Sequence, residues 1–332
     1  MPEPLISVLL PVRDAGDYLR PAVTSILTQS VDDFELILVD DGSRDAAVAQ
    51  LECSDPRLRI FHNPGQGLVN ALNFAAFQAR GRFVARMDAD DIALPQRLER
   101  QLQLLESEPG IGIAGARVEI FSEQGVGEGY RVYEQWINSL TTPEAIEREM
   151  YVESPIPHPT AMLSRNLFRA LGGYRHVDWP EDYDLWLRAH LNGVRMAKPD
   201  EVLLRWRDHP QRVTRADSRY ALAAFTRAKA HFLARQPLRD RAAVIWGAGP
   251  TGSLLCDALV EEGVRVDAFI DIDPRKVGGR KRGRPVLPAE AAPDVTPALV
   301  VAAVGARGAR ADIRGLLEGY HLSEGWDYLF AA

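Results

Sequence analysis

The sequence predicts an α/β fold in which a mainly parallel sheet is flanked by helices, followed by a second, smaller α/β unit. Two observations predict this class. Short apolar segments alternate with segments of helical periodicity over residues 5–114, and the same alternation starts again at residue 242. Elements of this length and order form right-handed βαβ units, whose strands lie parallel in one sheet.

The strands of the first unit are short apolar runs that end in polar loops. They are predicted at residues 5–10, 34–39, 58–61, 83–87 and 111–114. Helices are predicted between them because apolar side chains recur every three or four residues. The positions that define these helices are Leu19, Val23, Ile26 and Leu27, then Val69, Leu72 and Ala76, then Leu98, Leu102 and Leu105. Pro95 marks the start of the third helix, since proline is common at a first helical position.

Beyond residue 118 the alternation weakens, and prolines and the pair Gly172-Gly173 indicate loops and turns up to residue 213. The later elements are predicted as a helix at 220–233, a linker at 236–241, strands at 243–246, 265–270 and 300–304, and a helix that ends near residue 262. We therefore predict two domains, at residues 1–236 and 237–332.

The composition argues against several functional classes. The formal net charge of -7 argues against a nucleic-acid partner, since nucleic-acid-binding proteins are usually basic. The two cysteines, Cys53 and Cys256, form no CxxC pair, which argues against a zinc site or a disulfide framework. The amino terminus lacks the features of a signal peptide, and no apolar run approaches the roughly 18 residues of a spanning helix. We therefore expect a cytoplasmic protein, with peripheral membrane association left open.

Two predicted strands end in carboxylates, at Asp40-Asp41 and at Asp88-Ala89-Asp90-Asp91. Ligands of open α/β sheets bind outside the carboxyl ends of the strands. Three carboxylates within four residues repel one another unless a cation or many donors neutralise them. Hard divalent cations such as Mg2+ and Mn2+ prefer oxygen ligands and bridge diphosphates. The alternative is that these acids only cap the helix that Pro95 opens.

Several motifs occur in an order and spacing that together are specific, although each alone is weak. They are SVLLPVR at 7–13, ELILVDDGS at 35–43, ARMDADD at 85–91 with Pro95 and Arg97 beyond it, HPTAM at 158–162, GGY at 172–174 and EDYDLW at 181–186. Through this set, residues 5–215 resemble the family 2 glycosyltransferases, which have the GT-A fold. The resemblance covers nearly two-thirds of the chain.

The resemblance implies a nucleotide-binding role for five residues. Pro11 and Arg13 would border the base and the ribose. Asp41 would accept a hydrogen bond from the base, with uracil N3–H as the expected donor. Asp88 and Ala89 would lie on the nucleotide side of the acidic cluster, at the ribose or the first phosphate.

The resemblance also implies a metal site and a general base. Asp90 would ligate Mn2+ or Mg2+ directly, and His209 would help to bind the metal or the diphosphate. Asp182 would deprotonate the acceptor hydroxyl, with Glu181 and Asp184 as alternative bases. The competing interpretation is that the acids near residue 182 only open a helix and complement its dipole.

The function implied by the resemblance is inverting, hexosyltransferase-type transfer of a sugar from a nucleotide-sugar, expected to be a UDP-sugar. The acceptor would be a glycan or a lipid-linked glycan in surface polysaccharide synthesis, with His158 as a candidate residue of its site. Arg205-Trp206 lacks the glutamine of the QxxRW motif of processive synthases, which favours single additions. The basic stretch 205–219 would contact diphosphates or an anionic membrane surface, or be a solvated face.

The second unit carries a glycine-rich loop with Gly247, Gly249 and Gly252, and its next strand ends at Asp271. A strand before such a loop and a helix after it are the context of a dinucleotide fingerprint, which predicts a nucleotide at these four residues. The segment 269–278 resembles the small Rossmann-like N-terminal domains of sugar O-acyltransferases. A regulatory role or homo-oligomer formation is equally compatible with this unit. The alternative functions are therefore a nucleotide-sugar oxidoreductase and a non-catalytic nucleotide-sugar binding protein.

Overall fold

The computed structural model of the chain describes residues 3–63, 67–210, 212 and 217–332. The chain forms two compact units. The N-terminal unit comprises Met1–Glu147, Pro155–Val177 and Asp184–Ala216, and the C-terminal unit comprises Arg148–Ser154, Asp178–Tyr183 and Asp217–Ala332. The domain boundary expected between residues 236 and 237 stays a prediction. None of the helices in the described part of the chain combines the length and the apolar character that crossing a bilayer requires.

Two sheets form the N-terminal unit. The strands of the larger sheet are Ile6–Val12 (β1), Phe34–Asp40 (β2), Leu58–His62 (β3), Phe83–Arg86 (β4), Ile111–Ala114 (β6), Met162–Ser164 (β8) and Arg195–Ala197 (β9). The smaller sheet contains Ile92–Ala93 (β5), Arg117–Phe121 (β7) and Val202–Arg207 (β10). The larger sheet has the order β3-β2-β1-β4-β8-β6-β9, and the smaller has the order β5-β10-β7. In the larger sheet β8 pairs antiparallel with β4 and β6, and the other pairs are parallel.

The helices up to residue 191 are Leu19–Leu27 (α1), Leu68–Gln78 (α2), Arg97–Ser107 (α3), Glu128–Ser139 (α4), Pro143–Glu149 (α5), Arg165–Ala170 (α6) and Glu181–Leu191 (α7). β1 is buried along its whole length because β2 and β4 flank it on both edges. α1 buries Leu19, Val23 and Ile26, as its periodicity predicts, whereas the fourth predicted position, Leu27, is only partly buried. The three buried side chains belong to the core cluster of the unit, which holds the carboxyl ends of β1, β2 and β4 in fixed positions.

The C-terminal unit contains a six-stranded sheet with helices. Its helices are Leu222–Arg235 (α8), Pro250–Glu261 (α9) and Ala309–Gly319 (α10). Its strands are Ala243–Trp246 (β11), Val266–Ile270 (β12), Arg280–Lys281 (β13), Arg284–Leu287 (β14), Leu299–Ala302 (β15) and Tyr328–Phe330 (β16). The order is β13-β14-β12-β11-β15-β16. Every pair is parallel except β13 with β14, which form an antiparallel hairpin.

The predicted mixture of mainly parallel sheets and flanking helices is confirmed, and the differences lie at particular elements. The helix expected at 220–233 begins at Leu222, because Asp217 caps a separate 3-10 turn at Ser218–Tyr220. The stretch expected to be loops and turns contains the strands and helices from β7 to β10. β8 and β9 are only three residues long, and α4 buries only Ile137 fully, so their patterns are weak in the sequence.

Candidate active site

The acidic motifs lie at one edge of the larger sheet. β2 ends at Asp40, with Asp41 directly after it, and Asp88 follows the end of β4 by two residues. β1 pairs in parallel with both strands, so the carboxyl ends of β2 and β4 lie at the same edge. This is the edge at which α/β sheets bind ligands.

Asp41 is buried, and its carboxylate is held by the loop before α2. Its Oδ1 accepts a hydrogen bond from Asn63 Nδ2 at 2.9 Å, and both carboxylate oxygens accept from the N–H of Gly67, at 3.2 and 3.1 Å. The guanidinium of Arg13 lies 3.9 Å from Asp41 Oδ2, and its side chain is 53% exposed. Pro11 is buried within β1. The structure therefore brings Arg13 next to Asp41, two of the residues to which the resemblance gave a nucleotide-binding role.

Asp88 is paired with a buried arginine whose role in the site is not evident from the sequence. Arg86 Nη1 lies 2.5 Å from Asp88 Oδ1, and Arg86 is only 3% exposed. Burial raises the pKa of the Asp88 carboxyl, and the charge of Arg86 opposes this rise. Burial acts to lower the pKa of Arg86, but the negative charges of Asp88 and Asp91 raise it. Arg86 is thus an internal counter-ion of the acidic cluster, in which Ala89 is also buried.

Asp90 and His209, the two predicted metal ligands, are in contact although they are far apart in the sequence. His209 Nε2 lies 2.8 Å from Asp90 Oδ2. Burial acts to raise the pKa of Asp90, but the hydrogen bond with His209 and the charge of Arg212 lower it. Arg207 Nε donates to the carbonyl oxygen of Asp90 at 2.8 Å, which attaches the acidic loop to β10.

Asp91 completes the cluster, and its role is not evident from the sequence. Its Oδ1 accepts from the N–H of Arg207 at 2.8 Å, while its buried Oδ2 has no hydrogen-bond partner among the described residues. Burial raises the pKa of Asp91 well above its usual range, and the charges of Asp90 and Asp88 add to this effect. One ligand atom from each of the three aspartates lies within 4.8 Å of the others. A buried oxygen that lacks a donor and carboxylates at this spacing fit a hard divalent cation.

Aromatic rings support the loop and its histidine. The guanidinium of Arg207 lies over the rings of Tyr18 and Phe121, at 4.4 and 4.5 Å from their centroids. The ring of Tyr18 in turn lies 5.2 Å from the imidazole of His209. No motif spacing signals these contacts, because they depend on β10 lying between β5 and β7.

His158 lies in a partly buried polar network. Its Nε2 is 2.8 Å from the Tyr174 hydroxyl. Burial and the charge of Arg86 lower the pKa of His158 well below its usual range, so the imidazole is neutral near pH 7. Asn73 on α2 binds the backbone of Tyr174 twice, accepting from its N–H at 3.0 Å and donating to its carbonyl at 2.9 Å. This pairing fixes the loop that contains the GGY motif.

Asp182 lies at the start of α7, in the part of the chain assigned to the C-terminal unit. Its Oδ1 is buried and has no hydrogen-bond partner among the described residues. Burial, with a further contribution from the charge of Glu181, raises the pKa of Asp182 to about 8. The Glu181 carboxylate accepts from Tyr220 Oη at 3.2 Å and from Arg219 Nη1 at 3.3 Å. Of the alternative bases, Asp184 is ion-paired at 2.7 Å with an arginine one turn along α7.

The glycine-rich loop of the C-terminal unit packs closely against its own helix. A Cβ atom on Gly252 would lie 1.8 Å from the carbonyl oxygen of Gly247, whereas a Cβ on Gly249 would meet no atom within 4 Å. Asp271 Oδ2 accepts from the N–H of the residue after Gly247 and from Lys276 Nζ, both at 2.9 Å. The structure thus brings together the four residues that the fingerprint predicted, with Asp271 bonded to the loop itself.

Comparison with known proteins identifies the family. Residues 7–172 match the model of glycosyl transferase family 2. The O-antigen biosynthesis glycosyltransferase WbnJ of Escherichia coli is 32% identical over 215 residues, which cover 62% of this chain and 80% of WbnJ. The chain spans 66% to 80% of the lengths of the first curated relatives that it matches.

Solved structures show the same fold at low sequence identity. The S. aureus TarS 1-349 structure in complex with UDP-GlcNAc has a TM-score of 0.57 and 18% identity, over 78% of this chain and 72% of that chain. The mannosyltransferase PcManGT from Pyrobaculum calidifontis, in complex with GDP-Man and Mn2+, has a TM-score of 0.51 and 20% identity, over 78% and 70% of the two chains. These likenesses confirm the predicted GT-A-type α/β fold. Since the family model matches half of the chain, and WbnJ is similar over most of its own length, the chain belongs to glycosyl transferase family 2.

Proposed function

We propose that the chain is an inverting, metal-dependent glycosyltransferase of the hexosyltransferase type. It transfers a sugar from a UDP-sugar to a glycan or lipid-linked acceptor in surface polysaccharide synthesis, in the cytoplasm or at the inner face of the membrane. The observation that carries this proposal is the convergence of Asp88, Asp90 and Asp91 with His209 at the ligand-binding edge of the sheet. The relatives support the polysaccharide setting, since WbnJ is named for O-antigen biosynthesis.

The nucleotide lies, in this proposal, along the ends of β1 and β2. Pro11 and Arg13 border the base and ribose, and Asp41 accepts a hydrogen bond from the base. Asp41 suits this role because its bonds with Asn63 and Gly67 fix the carboxylate in one orientation. A uracil nucleotide is favoured by the UDP-GlcNAc in the TarS complex.

The residues proposed to hold a divalent cation are Asp90 and His209, with Asp88 and Ala89 on the nucleotide side. Bound Mn2+ or Mg2+ would supply positive charge against the diphosphate that leaves with the nucleotide. PcManGT was solved with Mn2+, which supports the same class of cation here. Two arginines of the chain hold the acidic loop in place when the charge at the site changes on binding of a cation or a diphosphate. Arg86 pairs with Asp88, and Arg207 binds the carbonyl oxygen of Asp90.

Asp182 is the proposed general base. Its carboxylate takes the proton of the acceptor hydroxyl, the hydroxyl oxygen forms the new bond to the anomeric carbon, and the bond to the diphosphate breaks. Attack from the face opposite the leaving group inverts the anomeric centre. The raised pKa of Asp182 makes it a stronger base than an ordinary aspartate once it is ionised.

Residues 237–332 are proposed to form a Rossmann-like domain that resembles the N-terminal domain of sugar O-acyltransferases. Gly247, Gly249, Gly252 and Asp271 would bind a nucleotide in it. The open space at Gly249, next to the start of α9, supports this assignment, since phosphates bind at helix N-termini. Homo-oligomer formation through this unit stays a prediction.

The test is nucleotide release from a panel of nucleotide-sugars with Mn2+ present and absent, with acceptor candidates and with NADH absorbance followed in parallel. We expect Mn2+-dependent release of UDP, and a loss of at least about a hundredfold in Asp90→Ala because a ligand of the charge-stabilising cation is removed. Asp240→Ala, an exposed acid on the linker, is the control for the loss of a negative charge. Release that persists in Asp90→Ala would contradict the metal assignment. NAD-dependent turnover would favour a nucleotide-sugar oxidoreductase. Binding of a nucleotide-sugar without any turnover would favour a non-catalytic nucleotide-sugar binding protein.

A further inference from the structure

The hairpin of β13 and β14 concentrates positive charge in a chain that is otherwise acidic. Four of the five residues from 280 to 284 are cationic: Arg280, Lys281, Arg282 and Arg284. The chain as a whole has a formal net charge of -7. We call residues 280–287 the basic hairpin.

The turn of the basic hairpin holds an arginine in a backbone conformation that arginine disfavours. Arg282 has a φ of 49° and Gly283 a φ of 75°, and they are the two central residues between Lys281 and Arg284. Two-residue turns of this kind favour asparagine, aspartate or glycine at the first position, because side chains with a Cβ clash in the left-handed region. Turn geometry alone therefore does not explain an arginine at residue 282.

The strand pairing of the basic hairpin is also electrostatically unfavourable. Lys281 and Arg284 are directly opposite one another in the register, where like charges repel. Lys281 makes no hydrogen bond or ion pair within the described residues. Arg282 is ion-paired with Asp257 at 2.6 Å, but both side chains are roughly half exposed. The hairpin thus carries more positive charge than its neighbours neutralise.

These features indicate an external anionic partner. A lysine or arginine on an edge strand also prevents edge-to-edge aggregation, which would account for Arg280 and Lys281 in β13 but not for Arg282 in the turn. A compact group of four cations suits the plane of phosphate headgroups on a bilayer, which attracts each nearby lysine or arginine. Nucleic acid is disfavoured because nucleic-acid-binding proteins are usually basic, whereas this chain has a formal net charge of -7.

We propose that the basic hairpin docks this protein onto bilayer surfaces that contain anionic phospholipids. This docking agrees with the lipid-linked acceptor proposed above but does not rest on it, because the argument uses only the charge and geometry of residues 280–287. The hairpin holds the protein at the membrane while the described helices contribute no span.

The test is co-sedimentation of the full chain with vesicles of phosphatidylcholine alone and of phosphatidylcholine with about one-third phosphatidylglycerol. We expect binding to the anionic vesicles only, and weaker binding in high salt. Arg282→Asn should weaken the binding about fivefold, the effect of one cation at such a surface. The same change should leave the unfolding temperature unchanged or raise it, because asparagine tolerates the left-handed turn. Removal of Arg280, Lys281 and Arg282 together should abolish binding.

Arg239→Gln is the matched control, since it removes one exposed arginine outside the hairpin. Equal binding to neutral vesicles, or equal weakening by Arg239→Gln, would overturn the proposal. The proposal would also be overturned if the hairpin variants bound vesicles like the wild type but aggregated. That result would show that the cations protect the edge strand from pairing with other chains. Binding to duplex DNA as strong as that to vesicles would show a general polyanion surface instead of a lipid one. Because none of these measurements uses a donor sugar, their outcome is separate from that of the transfer assay.

Discussion

At the scale of single residues, burial of Asp182 costs free energy, and the same burial bears on its proposed role as a general base. Its carboxyl is buried next to Glu181, and the protein stabilises its protonated form. The active form of a general base is the ionised one, so the same environment determines the pH at which the enzyme works. Asp184, two residues on, is ion-paired through Oδ2 with Arg188, so it is less suited to accept a proton from an acceptor.

The rate should therefore rise with pH. With a pKa of about 8 for Asp182, the fraction in the ionised form increases through neutral pH and levels off above that value. We expect kcat/KM to follow this rise, and Glu181→Gln to move its midpoint to lower pH because a neighbouring negative charge is removed. Asp182→Asn should lower kcat by about a hundredfold or more at every pH. The measurement is initial rate against pH with saturating Mn2+.

The unfolding temperature of the Asp182→Asn variant gives the control for the pH–rate measurement. A carboxyl whose pKa is raised on folding binds more protons when folded, so its contribution to stability falls as pH rises from the ordinary value near 4 to about 8. Asp182→Asn should thus unfold at a higher temperature than the wild type at pH 8 and above. A lower unfolding temperature together with lost activity would indicate that Asp182 is structural and would count against its role as base.

The sequence predicted the individual acids of the site better than the contacts that hold them. Asp88 and Asp90 are visible because they occur in a motif, and His209 was assigned through the family resemblance alone. Arg86 and Asp91 occur in the same motif, but their roles appear only from burial: Arg86 is the counter-ion, and Asp91 anchors the loop through the N–H of Arg207. Burial of a charged side chain at a strand end is a property of the fold and not of residue spacing.

At the scale of secondary-structure elements, the long apolar strands β1 and β2 were predictable, and the small sheet of β5, β7 and β10 was not. β1 and β2 are buried on both faces, which gives a continuous apolar run. β10 is only partly buried and carries Arg205 and Arg207 among its apolar residues, so its pattern is mixed. The pairing of β10 with β5 is what brings His209 to the acidic loop.

The turn between β11 and α9, together with the first turn of α9, gives a prediction with a matched pair of glycines. Gly252→Ala should destabilise the protein by about 3 kcal/mol or more, because its Cβ would lie 1.8 Å from a backbone oxygen that does not move freely. Gly249→Ala should change stability by less than about 1 kcal/mol, because its Cβ enters open space. The measurement is denaturant unfolding of both variants. Equal stability of the two would contradict the packing that the structure shows for this loop.

The same pair tests the proposed nucleotide. A methyl group at Gly249 would occupy space that a phosphate needs, so the variant should keep its fold but lose nucleotide binding by the C-terminal unit. Binding of UDP-sugars and of NAD to the Gly249→Ala protein, measured by calorimetry beside the wild type, would show this. Unchanged binding of every nucleotide would remove Gly249 from the proposed site.

At the scale of the whole molecule, the compact units differ from a simple division at residue 236. The C-terminal unit includes α8 and the short segments Arg148–Ser154 and Asp178–Tyr183. Lys229 on α8 donates to the carbonyl oxygens of Val152 and Ala331, at 2.8 and 2.9 Å, and burial lowers its pKa to about 8. Such long-range contacts leave no local signal in the sequence, where the polar stretch 236–241 resembles a linker.

Truncation after residue 236 distinguishes a C-terminal unit that includes α8 from a simple domain boundary at residues 236 and 237. It removes the partner of Lys229 at Ala331 and the helix α9 that packs against α8. We expect the truncated protein to unfold at a temperature several degrees lower, since a loss of about 1–2 kcal/mol has this effect in a domain of this size. Differential scanning calorimetry of the full and truncated chains is the measurement. An unchanged, cooperative transition would support the division at residues 236 and 237.

The contrast between Gly252 and Gly249 also has a consequence for how relatives of this unit diverge. No side chain fits at residue 252, so descendants of this fold should retain glycine there whether or not the unit binds anything. A side chain at residue 249 would meet no steric obstacle, so only selection for a ligand would keep this residue a glycine. A glycine retained at residue 249 across relatives would therefore indicate that the loop still binds a nucleotide, and replacement of this glycine would indicate that nucleotide binding has been lost.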